Sequence, residues 1–372
     1  LRQSGRAVID LGTGEPDFPT PAHIQRAAAD AVTNPANHAY SPVGGLPALR
    51  AAIARQASQR WAEDVDASSV VICNGAKHAA YATMQTLLDP GDEVLHHVPL
   101  WPTFAEVVRL AGGTPVGVPV EPHDQSWDLD RVRAAITPRT KAILVVSPCN
   151  PTGAVWDDAA LADIADLARR RGLWLISDGI YDRLAYGYQW APGLPTAAPH
   201  CRERCIVLNG VSKTYAMTGW RVGWILAPPS IARALIKLQG QMTSNVCNIA
   251  QVAALAALQG PQNALVTMKA AFARRRDSLI DGLRRMPGVT VTKPAGAFYA
   301  YPDVRGTLAR LELPDTAAFA QRLLTDAGVA IVPGEAFGTP GYARLSFVLG
   351  DEQLATGLRR LGDFIQGRPS EF

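Results

Sequence analysis

The 372-residue chain is 48% apolar and 19% charged, enough apolar material in two or three domain-sized units to bury a substantial core. A formal charge of +3, with no run of five or six like charges, gives no basis for nucleic-acid binding. No stretch reaches the ~20 apolar residues of a membrane span, and Leu1–Gly14 does not resemble a signal peptide.

Five cysteines are an odd number for a disulfide framework, so a reduced, cytoplasmic protein is expected. Cys73, Cys149, Cys205 and Cys247 lie in or beside apolar runs and read as small core residues. Cys201 and Cys205 form a C-x3-C that lacks a second cluster for zinc. The adjacent His96 and His97 lie on a strand and face opposite sides, which disfavours joint metal ligation.

In chain order, Leu11–Pro21 is rich in Gly and Pro and reads as a loop. Its Gly12-Thr13-Gly14 lacks the third glycine and the strand-to-helix setting of a dinucleotide fingerprint. A second loop, His38–Pro47, precedes a helix over Ala48–Trp61. Strands are predicted at Val70–Cys73, Glu93–Val98 and Thr114–Val120, with helices at Ala76–Leu88 and Thr103–Ala111. This alternation implies a mostly parallel sheet covered on both faces. The turn Asn74–Lys77 opens directly into a helix, so its free N–H groups and the positive dipole end form an anion site or an ordinary strand-to-helix turn. Trp101 follows a strand, where an indole stacks on a planar ligand or packs in the core.

Further strands at Ala142–Ser147 and Trp174–Asp178 flank a helix over Asp158–Arg171. Both end in polar residues at the edge where parallel sheets bind ligands. Asn150, Asp178 and Tyr181 are therefore candidates, although Asn150 also suits a turn and Asp178 a helix cap. The stretch CIVLNGVSKTYAMTGWRVGWILA, from Cys205 to Ala227, places Ser212, Lys213, Thr218 and Arg221 in a loop between two buried strands. A lysine hemmed in by small and apolar residues is partly desolvated, which lowers its pKa and frees its amine to attack a carbonyl. Ser212 and Arg221 add a hydroxyl and a cationic fork suited to phosphate. The alternative is a basic surface turn.

Beyond a break at Gln259–Pro261, a long amphipathic helix over Ala264–Met286 leads to a second unit. Arg274, Arg275 and Arg276 read as its solvated face. Strands follow at Thr290–Lys293, Phe298–Tyr301, Val329–Val332 and Ala343–Phe347, with helices near Thr316–Ala327 and Asp351–Gln366. Arg344, alone in an apolar strand, either meets an anion or lies on an exposed edge.

Gly210, Ser212, Lys213, Met217, Gly219, Arg221 and Gly223 stand in the order and spacing of the pyridoxal-phosphate lysine motif. LGTGEPDFPTP at Leu11, CNPTG at Cys149, SDGIYDRLAY at Ser177 and GEAFGTPGYARLSF at Gly334 accompany it in order. Over nearly its whole length the chain thus resembles the class I/II aminotransferases of fold type I, most closely their bacterial aspartate/aromatic branch. That resemblance implies an α/β fold: a large domain (residues 38–262) with a mostly parallel sheet between helices, and a small α/β domain from residues 1–20 and 270–372. It implies pyridoxal 5'-phosphate bound as a Schiff base on Lys213, with an L-amino acid and a 2-oxo acid as substrates. Lys213 then acts as general base. Asp178 holds the ring nitrogen's proton, Asn150 and Tyr181 bond the phenolic oxygen, and Trp101 covers the ring. Phosphate falls to Gly75, Ala76, Lys77, Ser212 and Arg221. Gly12, Trp101, Asn150 and Arg344 meet the substrate, Arg344 through its α-carboxylate.

The family's homodimer would bring Tyr40, and with it the segment Thr243–Asn245, across to the neighbouring site. One departure is Gly179, where the family usually has an acidic residue, which suggests an altered local pocket. Elimination, cyclisation or oxidation on the same scaffold is the alternative chemistry; a binding protein without turnover is disfavoured by the intact Lys213, Asp178 and Arg344.

Overall fold

Apolar runs such as VVIC at Val70 and TKAILVV at Thr140 become buried strands, as expected of a sheet covered on both faces. The computed structural model describes residues 7–120 and 127–368; the outermost parts of the expected small domain, residues 1–6 and 369–372, lie outside the described residues. Its strands are β1 (Ile9–Asp10), β2 (Val70–Cys73), β3 (Glu93–Val98), β4 (Thr114–Pro119), β5 (Thr140–Val146), β6 (Trp174–Asp178), β7 (Cys205–Gly210), β8 (Gly223–Leu226), β9 (Tyr299–Ala300), β10 (Val329–Ala330), β11 (Val332–Pro333) and β12 (Ala343–Ser346).

Seven of these form one sheet in the order β2-β8-β7-β6-β5-β3-β4. Strand β8 runs antiparallel to both β2 and β7, and the other neighbours are parallel. Helices Gly75–Leu87, Asp158–Arg171 and Pro229–Met242 are among those covering it. Local chemistry sets helix limits: Asp157 accepts from Ala160 N at 2.7 Å at the start of Asp158–Arg171, and Gly172 ends that helix at φ 67°.

A second body holds β9 to β12 and the helices Thr316–Ala327 and Asp351–Ile365, with the 22-residue helix Asn263–Arg284 running into it. Its buried cluster includes Leu11 as well as Phe272, Phe298, Phe319 and Phe347. Leu11 belongs there because β1 pairs with β10 and Ser346 N donates to Leu11 O at 2.6 Å.

Four expectations need correction. Thr290–Lys293 is not a strand; Thr290 forms only an isolated bridge with Asp303. Val329–Val332 is two short strands, because β10 pairs with β1 and β11 turns to pair with β12. Arg275 and Arg276 are buried, not solvated. Arg275 is satisfied by Asp17 (2.8 Å) and Asp351 (2.7 Å), and Arg276 lies over the Tyr186 ring beside Asp277. Cys247 is exposed at the start of Asn248–Gln259, so it is no core residue. Among the described residues no helix is long and apolar enough to cross a membrane.

Candidate active site

The C-terminal ends of β3, β5, β6 and β7 meet at one rim of the sheet and deliver Trp101, Asn150, Asp178 and Lys213 to a cavity of about 350 Å³. The second body closes the opposite side with Arg344 from β12 and Tyr299 from β9, and Gly14 and Glu15 of the N-terminal strip complete the wall.

Lys213 follows β7 directly, and its Nζ donates to Gly14 O at 2.7 Å. Burial lowers its ammonium to about 8, against the pull of Glu15 and with help from Arg221, Arg344 and Lys77. The free amine is therefore far more accessible near neutral pH than in an ordinary lysine.

Arg221, at the far end of the same loop, has left-handed backbone (φ 56°). Its guanidinium is pressed against Gly75 at the start of Gly75–Leu87: a Cβ at Gly75 would stand 2.5 Å from Arg221 Nη2. A Cβ at Gly223 would likewise stand 2.5 Å from Ala76 N, so β8 and the helix start are in direct backbone contact. A guanidinium against the positive end of a helix is favourable only with an anion between or beside them. Ser212, buried, and Ala76, Lys77 and Thr218 line the cavity at this corner.

Asp178 is buried, and its Oδ1 accepts from Ile180 N at 2.9 Å. Burial pushes its carboxyl up to about 7, only partly offset by that hydrogen bond. Asn150 Oδ1 accepts from Arg344 Nη1 at 2.9 Å, while Arg344 Nη2 donates to Gly12 O at 2.7 Å. The buried Nε of Arg344 has no hydrogen-bond partner among the described residues. Tyr181 and Tyr299 hydroxyls lie 3.1 Å apart, and burial raises the Tyr181 phenol well above its ordinary range. Lys77 Nζ stands 5.0 Å from the centre of the Trp101 ring.

The expected residues converge, with Gly75 behind the Arg221 guanidinium rather than in the lining, and with three further qualifications. Gly12 stands one step behind the cavity, acting on it through Arg344, and it is Gly14 and Glu15 that line the wall. Tyr40 is 92% exposed and outside this chain's cavity. Gly179 is not in the lining either, and a Cβ there would make ordinary contacts with Asn209 and Asp182. Sequence reasoning missed Glu15, Tyr299 and the lining Phe104. The GEPDF run marked the strip carrying Glu15, but nothing distinguished Tyr299 from a core aromatic.

A family model for class I and II aminotransferases matches residues 6–361. The chain is 48% identical to an aspartate aminotransferase of Streptomyces avermitilis over 97% of this chain and 90% of that protein. It is 40% identical to one from Geobacillus stearothermophilus over 99% and 94%. Its fold matches the crystal structure of an aspartate aminotransferase from Thermotoga maritima with a TM-score of 0.91, at 36% identity, over 98% of this chain and 94% of that one. An aromatic aminotransferase from Pyrococcus horikoshii gives 0.91 at 34% identity, covering 98% of each chain. The chain therefore belongs to the class I and II aminotransferases, in their aspartate/aromatic branch, and is an enzyme of transamination.

Proposed function

We propose that this aminotransferase holds pyridoxal 5'-phosphate in the cavity and moves the amino group of aspartate to a 2-oxo acid. The observation that carries this reading is one cavity that joins a lysine lowered to about 8, a buried carboxyl that meets no cation among the described residues, a helix-end anion corner and the cations Arg344 and Lys77. The residues fit the cofactor: Arg221, Ser212 and the helix start suit its phosphate, and Asp178 suits a protonated ring nitrogen. When bound, the pyridoxal group supplies an electron sink that makes the Cα hydrogen of an attached amino acid acidic.

Lys213 would hold the cofactor through its amine, and the same amine, once free, would move the proton at the substrate's Cα. Asp178 would hold the proton of the ring nitrogen, Asn150 and Tyr181 would bind the phenolic oxygen, and Trp101 would lie against the ring. Arg344 receives the α-carboxylate; its fork is already aimed by Asn150, Gly12 O and the Tyr299 ring. Lys77 is the cation for the second carboxylate of aspartate.

Aspartate added to the cofactor-loaded enzyme should yield the pyridoxamine form and a 2-oxo acid in equal amounts; release of ammonia instead would overturn the assignment. Arg344→Lys should raise the half-saturating concentration of every amino donor about tenfold or more, since a lysine loses a charge-assisted fork contributing roughly 1.5 to 3 kcal/mol. Lys77→Ala should weaken aspartate selectively and leave a monocarboxylic donor unchanged. Equal losses for both donors would remove Lys77 from side-chain recognition.

The active form is a homodimer in this reading. Tyr40 is exposed, and its loop is tied through Asn248 Nδ2, which donates to Ala39 O at 2.8 Å, to the segment Thr243–Asn245. Both therefore lie on one face, which would supply Tyr40 to the phosphate of a second copy. Mixing inactive Tyr40→Ala and Lys213→Ala subunits should restore activity through heterodimers with one intact site. Verified heterodimers without recovery would place Tyr40 outside the neighbouring site. In the same reading the described residues of 38–262 make up the large domain and those of 1–20 and 270–372 the small one, and the unpaired cysteines suit a reducing cytoplasm.

A further inference from the structure

We propose that Tyr299 is a positioning residue with two separable duties: its ring face holds the Arg344 guanidinium, and its hydroxyl orients that of Tyr181 toward the cofactor's phenolic oxygen. The inference rests on the roles proposed above for Arg344 and Tyr181.

Strand register explains the first duty. Tyr299 of β9 pairs with Ser346 of β12, and Arg344, two residues before Ser346, projects from the same face of β12. Tyr299 and Arg344 are thus diagonal neighbours, close enough for long side chains to touch. The Arg344 Cζ lies 4.4 Å from the Tyr299 ring centre, and Phe337 supports it from 5.1 Å. Such a stack fixes the plane of the fork without occupying its donors. Nη1 and Nη2 stay directed at the cavity edge, on Asn150 and Gly12.

The second duty follows from burial. Tyr299 is fully buried and its hydroxyl lies 3.1 Å from that of Tyr181, with the two rings edge-to-face at 6.0 Å. The approach is tight on a second side, where a Cβ at Gly14 would come within 3.0 Å of the Tyr299 oxygen. Of two facing hydroxyls one donates and one accepts. When the Tyr181 proton is directed at the cofactor's phenolic oxygen, Tyr181 is left to accept from Tyr299. A hydrogen bond received by the Tyr181 oxygen polarises its O–H and strengthens the bond that it donates. A stronger donor at the phenolic oxygen stabilises its deprotonated form and lowers the pH at which the cofactor's visible band changes. The titratable and charged groups around the pair are Asp178 from β6, Arg344 from β12, and Lys213 and Glu15 across the cavity. None of them is altered by Tyr299→Phe.

The test compares Tyr299→Phe and Tyr299→Leu, both loaded with cofactor, by spectrophotometric pH titration and by binding of succinate, a dicarboxylate that does not react. Tyr299→Phe should raise the band's midpoint by roughly half to one pH unit, the worth of one neutral hydrogen bond. Its succinate affinity should stay within about twofold of wild type, because the ring remains. Tyr299→Leu should show the same midpoint rise and bind succinate roughly five- to tenfold more weakly. Tyr299→Met, closer in bulk, takes its place if the leucine variant does not fold. An unmoved midpoint in Tyr299→Phe, with a raised midpoint in Tyr181→Phe, would overturn the hydroxyl's duty alone. Wild-type succinate binding in the ring-less variants, with weakened binding in Arg344→Lys, would overturn the ring's duty alone. An unmoved midpoint in Tyr181→Phe itself would overturn the reading of Tyr181, and the hydroxyl's duty with it.

Discussion

Lys213→Ala is expected to lower turnover by roughly 10⁴-fold or more, the upper end of what a positioned acid–base group contributes. The loss is this large because one amine performs both steps: it carries the cofactor and it moves the Cα proton. Arg221, Arg344 and Lys77 lie close enough to depress the Lys213 pKa. The variant should still bind the cofactor, since the Arg221–Gly75 corner, Ser212 and Asp178 are untouched, but its visible band should disappear. Borohydride separates the outcomes: wild type should be labelled covalently, the variant not. A reducible adduct surviving in Lys213→Ala would remove this lysine from the reaction.

Asp178→Asn should slow single-turnover proton abstraction roughly 10²- to 10³-fold, as loss of a preorganised electrostatic partner does. The amide keeps the shape but cannot balance a ring cation. Cofactor-free enzyme gives an independent reading of the same charge. Burial lifts the folded-state carboxyl from its ordinary value near 4 to about 7. Between those values the folded protein binds more protons than the unfolded chain, so stability falls as pH rises through about 4 to 7. The cost at high pH is on the order of a few kcal/mol. Cofactor-free Asp178→Asn should therefore melt higher than cofactor-free wild type at pH 8, and the gap should close toward pH 4. Bound cofactor supplies the missing cation, so loading should stabilise wild type more than the variant. Matching single-turnover rates in the two loaded enzymes would make Asp178 structural.

The large sheet was legible because its strands are short buried runs, such as Glu93–Val98 and Cys205–Gly210, separated by helices of ordinary length. Site residues at strand ends shared that legibility: a polar Asn150 or Asp178 after an apolar run stands out. Tyr299 did not, because a tyrosine in FYAY looks the same whether its hydroxyl enters a core or a site. Arg275 and Arg276 misled for a related reason: charge suggests solvent, while the Asp17 and Asp351 that meet Arg275 and the Tyr186 ring beneath Arg276 are far away in sequence. The strand at Thr290–Lys293 failed because β propensity alone does not supply a neighbouring strand, and the stretch forms an isolated bridge from Thr290 to Asp303 instead.

The pairing of β1 with β10 sets an order on synthesis. The strip from Ile9 to Phe18 leaves the ribosome well before its partners Val329, Arg344 and Asp351, the last reached through Arg275. At ordinary elongation rates the strip waits on the order of tens of seconds. Meanwhile the seven-stranded sheet, whose strands all lie between Val70 and Leu226, has everything it needs to form. A nascent chain stalled before β10 should thus carry a structured, protease-resistant middle and a cleavable strip, with the wall that holds Gly14 against Lys213 added last.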